Sequence, residues 1–354
     1  MKILIDIGHP AHVHLFKHVA KILTNRSAKV YFTCRDKEFE SDLLKSEGFD
    51  YQSFGKHYRT KTGKLFGLIK FTIILLRISF KFKPDILISH GSVYAALVGW
   101  LIRKPHIALE DSGNMEQVKL YRPFSKVLLI PKILPQDFGK KQIKYPANHE
   151  LFYLHPCYYI ASGIIYKYLG VDKFTHYVII RFISWKATHD YGQNGFTTNE
   201  KYELIDKLAK KVAVFISSEE ELPSDLRKYQ INIPPQLMHD ALANAELVIS
   251  EGATVASEAG VLGTPSIYVN SIVRYYNEEL EQYGLVFNYP NGEKVLSKAI
   301  ELLDMNYKLT IQKKRKQFIS KHINPTQFLV WFIENYPQSR EMVEDTEEFW
   351  RRFQ

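Results

Sequence analysis

The sequence predicts two α/β domains built on parallel sheets, on three observations. Short β-branched runs alternate with segments of helical spacing along most of the chain. These runs are apolar throughout, as strands covered on both faces are, rather than alternating as half-exposed strands do. The alternation breaks between about Pro135 and Lys173, a stretch rich in Tyr, Pro, Lys and His, and then resumes. At 354 residues the chain is long for one domain and comfortable for two.

In the first half, "KILIDI", "AKVYFTC", "DILIS", "HIALE" and "KVLLIP" read as strands, with helices over 12–23, 37–47 and 93–102 between them. In the second half the strands are "HYVIIRF", "KVAVFIS", "ELVIS" and "PSIYV". The expected organisation is a first domain over 1–170, a second over 171–324, and a tail over 325–354. That tail reads as two aromatic-rich helices around an acidic turn, placed to pack back on the first domain. Hydrophobic residues make up 45% and aromatics 14%, enough for sizeable cores and against disorder.

Cys34 and Cys157 make neither a disulfide framework nor a CxxC zinc pair, which fits a reduced, cytoplasmic setting. The opening run meets an acid at Asp6 and does not read as a signal peptide. No apolar stretch reaches the ~20 residues that span a bilayer. The net charge of +9 is concentrated: every charged residue between Asp50 and Asp85, from Lys56 to Lys83, is basic. One basic patch, with no nucleic-acid-binding motif beside it, argues against a nucleic-acid partner.

Within that patch, "GKLFGLIKFTIILLRISFKFKPD" is an amphipathic helix candidate, with Lys70, Arg77 and Lys81 on one stripe and a broad apolar face opposite. It is either an ordinary helix covering the strand "DILIS" or an interfacial patch over 56–83 that touches an anionic membrane without spanning it.

The strongest chemical signal is "ELVISEGATVASEAGVLGTPSIYVN". A strand ends at Ser250, a small-residue turn follows, and a helix starts near Thr254. Gly252, Ala253 and Thr254 allow close approach of a ligand's phosphates, which free N–H groups and the helix dipole attract. Glu258 lies about one turn further on, placed to accept hydrogen bonds from sugar or ribose hydroxyls. A tight βα turn with a solvated Glu is the competing reading.

"SEGATVASEAGVLGTPSIYV" resembles the donor-nucleotide motif of GT-B glycosyltransferases, notably the lipid-II-forming N-acetylglucosaminyltransferase. It is also similar to the corresponding motif of the non-hydrolysing UDP-GlcNAc 2-epimerases. In both, the Glu matching Glu258 binds the ribose hydroxyls and the preceding turn holds the pyrophosphate. With "IDIGHPAHVHLFK", "KYPANHELFYLHP", "RFISWKATHDYGQNG", "VFISSEEELP" and "IPPQLMHDAL", the likeness extends to an uncharacterised bacterial and archaeal family classed with the GT-B fold, over nearly the whole chain to about residue 300. The resemblance implies an α/β GT-B protein: two Rossmann-like domains whose parallel sheets face a cleft.

The run "GHPAHVHLFKH" gathers His9, His12, His14 and His18. His14 and His18 are an i, i+4 pair, but no Glu lies between them as in HExxH, so packing or surface roles are expected and no metal is assigned. His12 follows the first parallel strand, at the end where open α/β sheets bind ligands. His12-Val13 matches the His-Val of the glycosyltransferase's "GGHV" loop, with His9 and Pro10 in place of glycines. An unperturbed imidazole titrates near pH ~6.5, which suits a base taking an acceptor hydroxyl's proton. His12 is the first candidate for that role and His9 the second.

"PHIALEDSGNMEQ" ends another strand in a polar cluster, where Asp111 either orients His12 or, with Ser112, caps a helix. The epimerases carry His-x-Glu-Ala-Gly-x-Arg here. This sequence lacks the Ala-Gly and the Arg, which counts against epimerisation. "IIRFISWKATHDYGQNG" offers Arg181, Lys186, His189 and Asp190 after a strand; Arg181 and His189 are candidate donor contacts, a guanidinium being able to clamp a pyrophosphate. In "NSIVRYYNEELEQYG" the usual polar pair for the donor sugar has no clear counterpart, and Asn270 is the nearest candidate.

The implied function is transfer of a sugar from a nucleotide donor, UDP-linked by resemblance, to a lipid-linked or envelope-polysaccharide acceptor. The rivals are an epimerase or hydrolase using the same site and a non-catalytic nucleotide-sugar-binding protein. No tightly bound cofactor is expected, the nucleotide sugar being the substrate, and magnesium is compatible with the site but not required, since a helix N-terminus and an Arg can offset a leaving diphosphate. A cytoplasmic protein, peripheral to the membrane's inner face, fits these expectations.

Overall fold

A computed structural model of the chain describes all residues except 37–38, 57–60, 184–194 and 306, and the side chains of 61, 62, 64 and 65. The first sheet contains β1 (Lys2–Ile7), β2 (Lys29–Asp36), β3 (Tyr51–Lys56), β4 (Ile86–His90), β5 (His106–Leu109), β6 (Val127–Pro131) and β7 (Gln142–Tyr145). Its order is β3-β2-β1-β4-β5-β6-β7. The second contains β8 (Tyr177–Phe182), β9 (Ala213–Ser218), β10 (Leu247–Ser250), β11 (Ser266–Val269) and β12 (Val286–Tyr289), in the order β12-β11-β10-β8-β9. Every strand pairing is parallel.

All the strands read from the sequence are present, and β3, β7 and β12 are additional. These three are edge strands. "YQSFGK" and "QIKY" bury little more than one side chain each, so they lack the apolar run that marks the central strands.

The chain falls into two compact units, residues 1–158 with 322–354, and residues 159–321. The division comes ahead of residue 170 because the intervening segment is tied to the second unit. Tyr159 Oη and Ser162 N donate to Asp240 Oδ1 at 2.7 and 2.8 Å, and Tyr166 meets the ring of Tyr177. The C-terminal residues complete the first unit. Ile323 N donates to Pro146 O, Thr326 Oγ1 to Phe152 O, and the helix Pro325–Glu334 packs Phe328 on Tyr145, Trp350 and Phe353. A further short helix, Ser339–Met342, separates it from the last one, Glu347–Arg351.

Both cores are aliphatic and aromatic. In the second unit Val178, Ile180, Leu247, Ile249 and Ile267 of the sheet pack on Leu204, Leu208 and Val295 of its helices. Each sheet also reverses its strand order once, between β1 and β4 in the first and between β8 and β10 in the second. Ligands of open parallel sheets bind beyond the carboxyl ends of the strands at such a reversal.

Candidate functional site

Beyond β1 the chain turns through Gly8 and His9 into the helix Pro10–Asn25. His9 caps it, its Nδ1 accepting from Ala11 N at 3.2 Å, and Pro10 fills the first helical position, where a missing N–H costs nothing. His12 is therefore the third residue of the helix. Its Nδ1 accepts from Gly8 N at 3.2 Å, so the proton of the neutral ring sits on Nε2. A Cβ at Gly8 would lie 2.3 Å from Arg35 Nη2, so only glycine lets that guanidinium cover the turn.

Across the reversal, β4 ends in His90, followed by Gly91 at φ +59° and Ser92, which caps the helix Val93–Leu101. Register sets His90 beside Leu109 of β5, two residues before Asp111. His90 Nε2 then lies 2.9 Å from Asp111 Oδ1, and His149 Nδ1 lies 3.0 Å from Asp111 Oδ2. The His12 and His90 rings are 4.5 Å apart. Three imidazoles and one carboxylate, from four segments, thus form one cluster.

Their charges follow from this geometry. Burial works to raise the Asp111 carboxyl, but His149 and His90 override it and hold it well below the usual carboxylate range. Burial lowers His90, and Asp111 more than reverses that, raising it above the ordinary imidazole value. His12 is pushed well below that value by burial first, then by His90, His9 and Arg35. A charged His90–Asp111 pair beside a neutral, N–H-donating His12 results. His149 Nε2 is buried without a hydrogen-bond partner.

Two buried acids support this cluster without joining it. Asp6 accepts from Thr33 Oγ1 at 2.8 Å and Ser92 Oγ at 2.6 Å, tying β1 to β2 and to the end of β4. Glu110 accepts from the backbone of Ser112 and Gly113, from the Ser112 hydroxyl, and from Tyr121 Oη, which fixes the loop carrying Asp111. Asp111 and Ser112 do not cap the next helix, as one reading had it; Asn114 does, accepting from Gln117 N. Asp111 orients His90 and His149 rather than His12, because His12 spends its Nδ1 on the turn before it. His14 and His18 pack against Tyr153 and Tyr158, and burial pulls His18 down to about 4.

Among the described residues His90, Asp111 and His149 are also the group with metal-ligand spacing, one ligand atom from each lying within 4.8 Å of the others. Two imidazoles and a carboxylate suit a first-row divalent ion. As arranged here, both carboxylate oxygens are spent on the imidazoles.

The second unit's reversal is built differently. Ser250 ends β10, and its Oγ accepts from Gly252 N at 3.0 Å and donates to Gly252 O at 2.7 Å. Among the described residues the helix Ala253–Leu262 starts without a side-chain cap, and Thr254 on its first turn is exposed. Glu258 is buried on the same helix, its Oε1 3.1 Å from His239 Nε2. Glu251 accepts from Ile183 N, Phe196 N and Lys201 Nζ, the last a buried ion pair at 3.3 Å. Arg181 donates to Ser217 Oγ and Glu219 Oε1, and Asn270 binds Glu251 O and Ile272 N, so both brace neighbouring loops. Lys186, His189 and Asp190 lie outside the described residues.

His90, His149, His239 and Glu251 were not singled out by sequence reasoning. The one available signal was that His90-Gly91 directly follows the strand "DILIS", the same strand-end logic that marked His12.

Residues 1–327 match the family model described as "Protein of unknown function (DUF354)". An uncharacterized protein of Methanocaldococcus jannaschii, MJ0665, is 23% identical over 281 residues, 75% of this chain and 81% of the relative. Among solved structures, the UDP-GlcNAc 2-epimerase from Neisseria meningitidis bound to UDP-GlcNAc superposes with a TM-score of 0.66 at 14% identity, covering 95% of this chain and all of the other. The spinosyn rhamnosyltransferase SpnG complexed with spinosyn aglycone gives 0.61 at 14% identity, with the same coverage. The two parallel-sheet units are those of the GT-B fold.

Proposed function

The chain belongs to the DUF354 family, and from that premise we propose that it is a GT-B glycosyltransferase that moves a sugar from a UDP-linked donor to an acceptor hydroxyl. The observation that carries this reading is the start of the helix Ala253–Leu262, without a side-chain cap among the described residues, behind a glycine turn at the second sheet's reversal, with buried Glu258 one turn on. First-turn N–H groups and the helix dipole suit a diphosphate, and they stabilise the charge that develops as it leaves. Gly252, Ala253 and Thr254 would face the phosphates and Glu258 the ribose; Arg181, Asn270 and His189 stand as outer candidates on the donor side.

The first unit would carry the proton chemistry. The Nε2–H of His12 is suited to hold the acceptor oxygen, and His149, whose Nδ1 faces Asp111 and whose Nε2 has no hydrogen-bond partner among the described residues, to receive the proton at that nitrogen as the oxygen attacks the anomeric carbon and the UDP leaves. His9 contributes by capping the helix that carries His12. The acceptor would be lipid-linked or an envelope polysaccharide, with the protein working from the cytoplasmic side.

Thermal unfolding against UDP, GDP, CMP and ADP, in wild type and Glu258→Ala, tests the donor site. A ligand at a hundred times its Kd adds about 2.7 kcal/mol. A UDP-specific gain lost in Glu258→Ala is expected; no gain with any nucleotide would end the proposal. A second reading, epimerisation of the UDP-sugar, is favoured by the two imidazoles around Asp111, which can exchange a proton between them. UDP-GlcNAc incubated in deuterium oxide without acceptor would acquire deuterium at C2 in that case and in no other.

A further inference from the structure

We propose that the helix Lys61–Phe82, with the end of the helix Val93–Leu101, is the surface by which this protein docks on an anionic lipid bilayer, lying on it without crossing. The helix Lys61–Phe82 buries Phe71, Leu75 and Ile78 against Ala95 and Val98 of its neighbour. That is the ordinary half of its amphipathicity. The other half departs from a soluble protein's covering helix: Ile69, Ile73 and Phe80 are 57, 45 and 64% exposed. At 100° per residue these three share an arc of about 120° with the exposed Lys70, Arg77 and Lys81, the apolar side chains along one flank and the basic ones along the other. On the neighbouring helix Trp100 and Leu101 are 58 and 48% exposed, and the chain continues into exposed Arg103 and Lys104.

Charge selects the occupant. The helix carries no acidic residue, and the segment between Asp50 and Asp85 carries none either. A partner must accept bulky apolar side chains and supply negative charge within a few ångströms of them. An anionic headgroup layer over acyl chains does both. A second copy of the chain does not, because a two-fold contact would set one basic row against another. No helix among the described residues is long and apolar enough to cross a membrane, so the contact is interfacial.

Sedimentation with vesicles of phosphatidylcholine and phosphatidylglycerol, against phosphatidylcholine alone, tests this with no nucleotide present, so its outcome is separate from that of the donor site. Binding to the anionic vesicles is expected, at least about tenfold stronger than to the neutral ones and weakened by salt. Arg77→Glu with Lys81→Glu should lower it by about tenfold or more. Ile73→Ser with Phe80→Ser should lower it comparably and, being exposed, leave thermal unfolding unchanged. Wild type that stays in the supernatant, or two double variants that sediment like wild type, would overturn the proposal. So would a dimer in light scattering that Ile73→Ser with Phe80→Ser dissociates, since the face would then belong to a second copy.

Discussion

The two sheets reverse in the same way and finish the reversal with opposite chemistry. In the first unit the strand ends deliver imidazoles and a carboxylate, coupled across 2.9 and 3.0 Å. In the second the strand end delivers a serine–glycine turn and, among the described residues, a helix start without a side-chain cap, and its acids are paired inward with His239 and Lys201. One end gathers groups that titrate; the other ends in backbone dipoles that keep their sign at any pH. The shared topology thus sets where chemistry can occur, and a few side chains at each reversal decide which chemistry it is.

The comparison breaks first at Glu251. Glu251→Ala removes the carboxylate that faces Lys201 at 3.3 Å, where only 3% of the lysine side chain is exposed, together with the acceptor for Ile183 N and Phe196 N. A loss of about 3–5 kcal/mol, confined to the second unit's transition in urea, is expected. A loss below about 1 kcal/mol would mean the pair is structurally idle.

At the first reversal, Asp111→Asn should lower sugar transfer by at least about 100-fold, or about 2.7 kcal/mol in the barrier, with the UDP-dependent stabilisation unchanged. If nucleotide stabilisation falls too, the division of labour between the reversals is wrong. His12→Gln sharpens the same point. A glutamine amide can reproduce the Nε2–H donor but not a base, so activity within about tenfold of wild type is expected, and a loss as large as that of Asp111→Asn would make His12 the base.

The pH profile of stability is the next effect in size. His106, fully buried between Ser89 and Ser125, is pulled by burial to about 3. The unfolded chain takes up a proton near pH ~6.5 that the folded chain refuses, so stability falls as pH drops from ~6.5 toward 3, by about 1.4 kcal/mol per pH unit for this one group. His90, raised by Asp111, works in the opposite sense, its contribution complete below its unfolded value and lost as pH rises through the folded one. Urea unfolding at pH 7, 6 and 5 should give a shallower decline in His106→Gln by about one proton's worth.

The smallest effect is at Gly252, where among the described residues a Cβ would meet only Ser250 Oγ, at 3.5 Å. Gly252→Ala should cost under about 1 kcal/mol of stability yet weaken UDP binding if phosphates approach that backbone. Equal UDP affinity would move the diphosphate away from the turn.

Much of this was legible in the sequence, for physical reasons that also mark its limits. Central strands announce themselves because both faces are buried, as in "ILIS" or "LVIS"; the edge strand "YQSFGK" fully buries only Phe54 and does not. The turn at Gly252 and the position of His12 after β1 are local features, read within a few residues. The cluster around Asp111 is not local. It needs the register of β4 on β5 and the return of the chain at His149, neither of which a single sequence spells out. Lys201 illustrates the same limit: nothing in "TNEKYELI" distinguishes a lysine that will be buried on Glu251 from one in water.

The return of residues 322–354 to the first unit also bears on synthesis. The second unit is continuous, residues 159–321, and all of it is synthesised before residues 322–354. The first unit began earlier and at that point still lacks the helix that covers Tyr145 and Phe152. The half of the molecule made first is therefore the half that can finish last. Until then a patch of its aromatic core stays open, at the stage of the protein's life when chaperones have the most to hold.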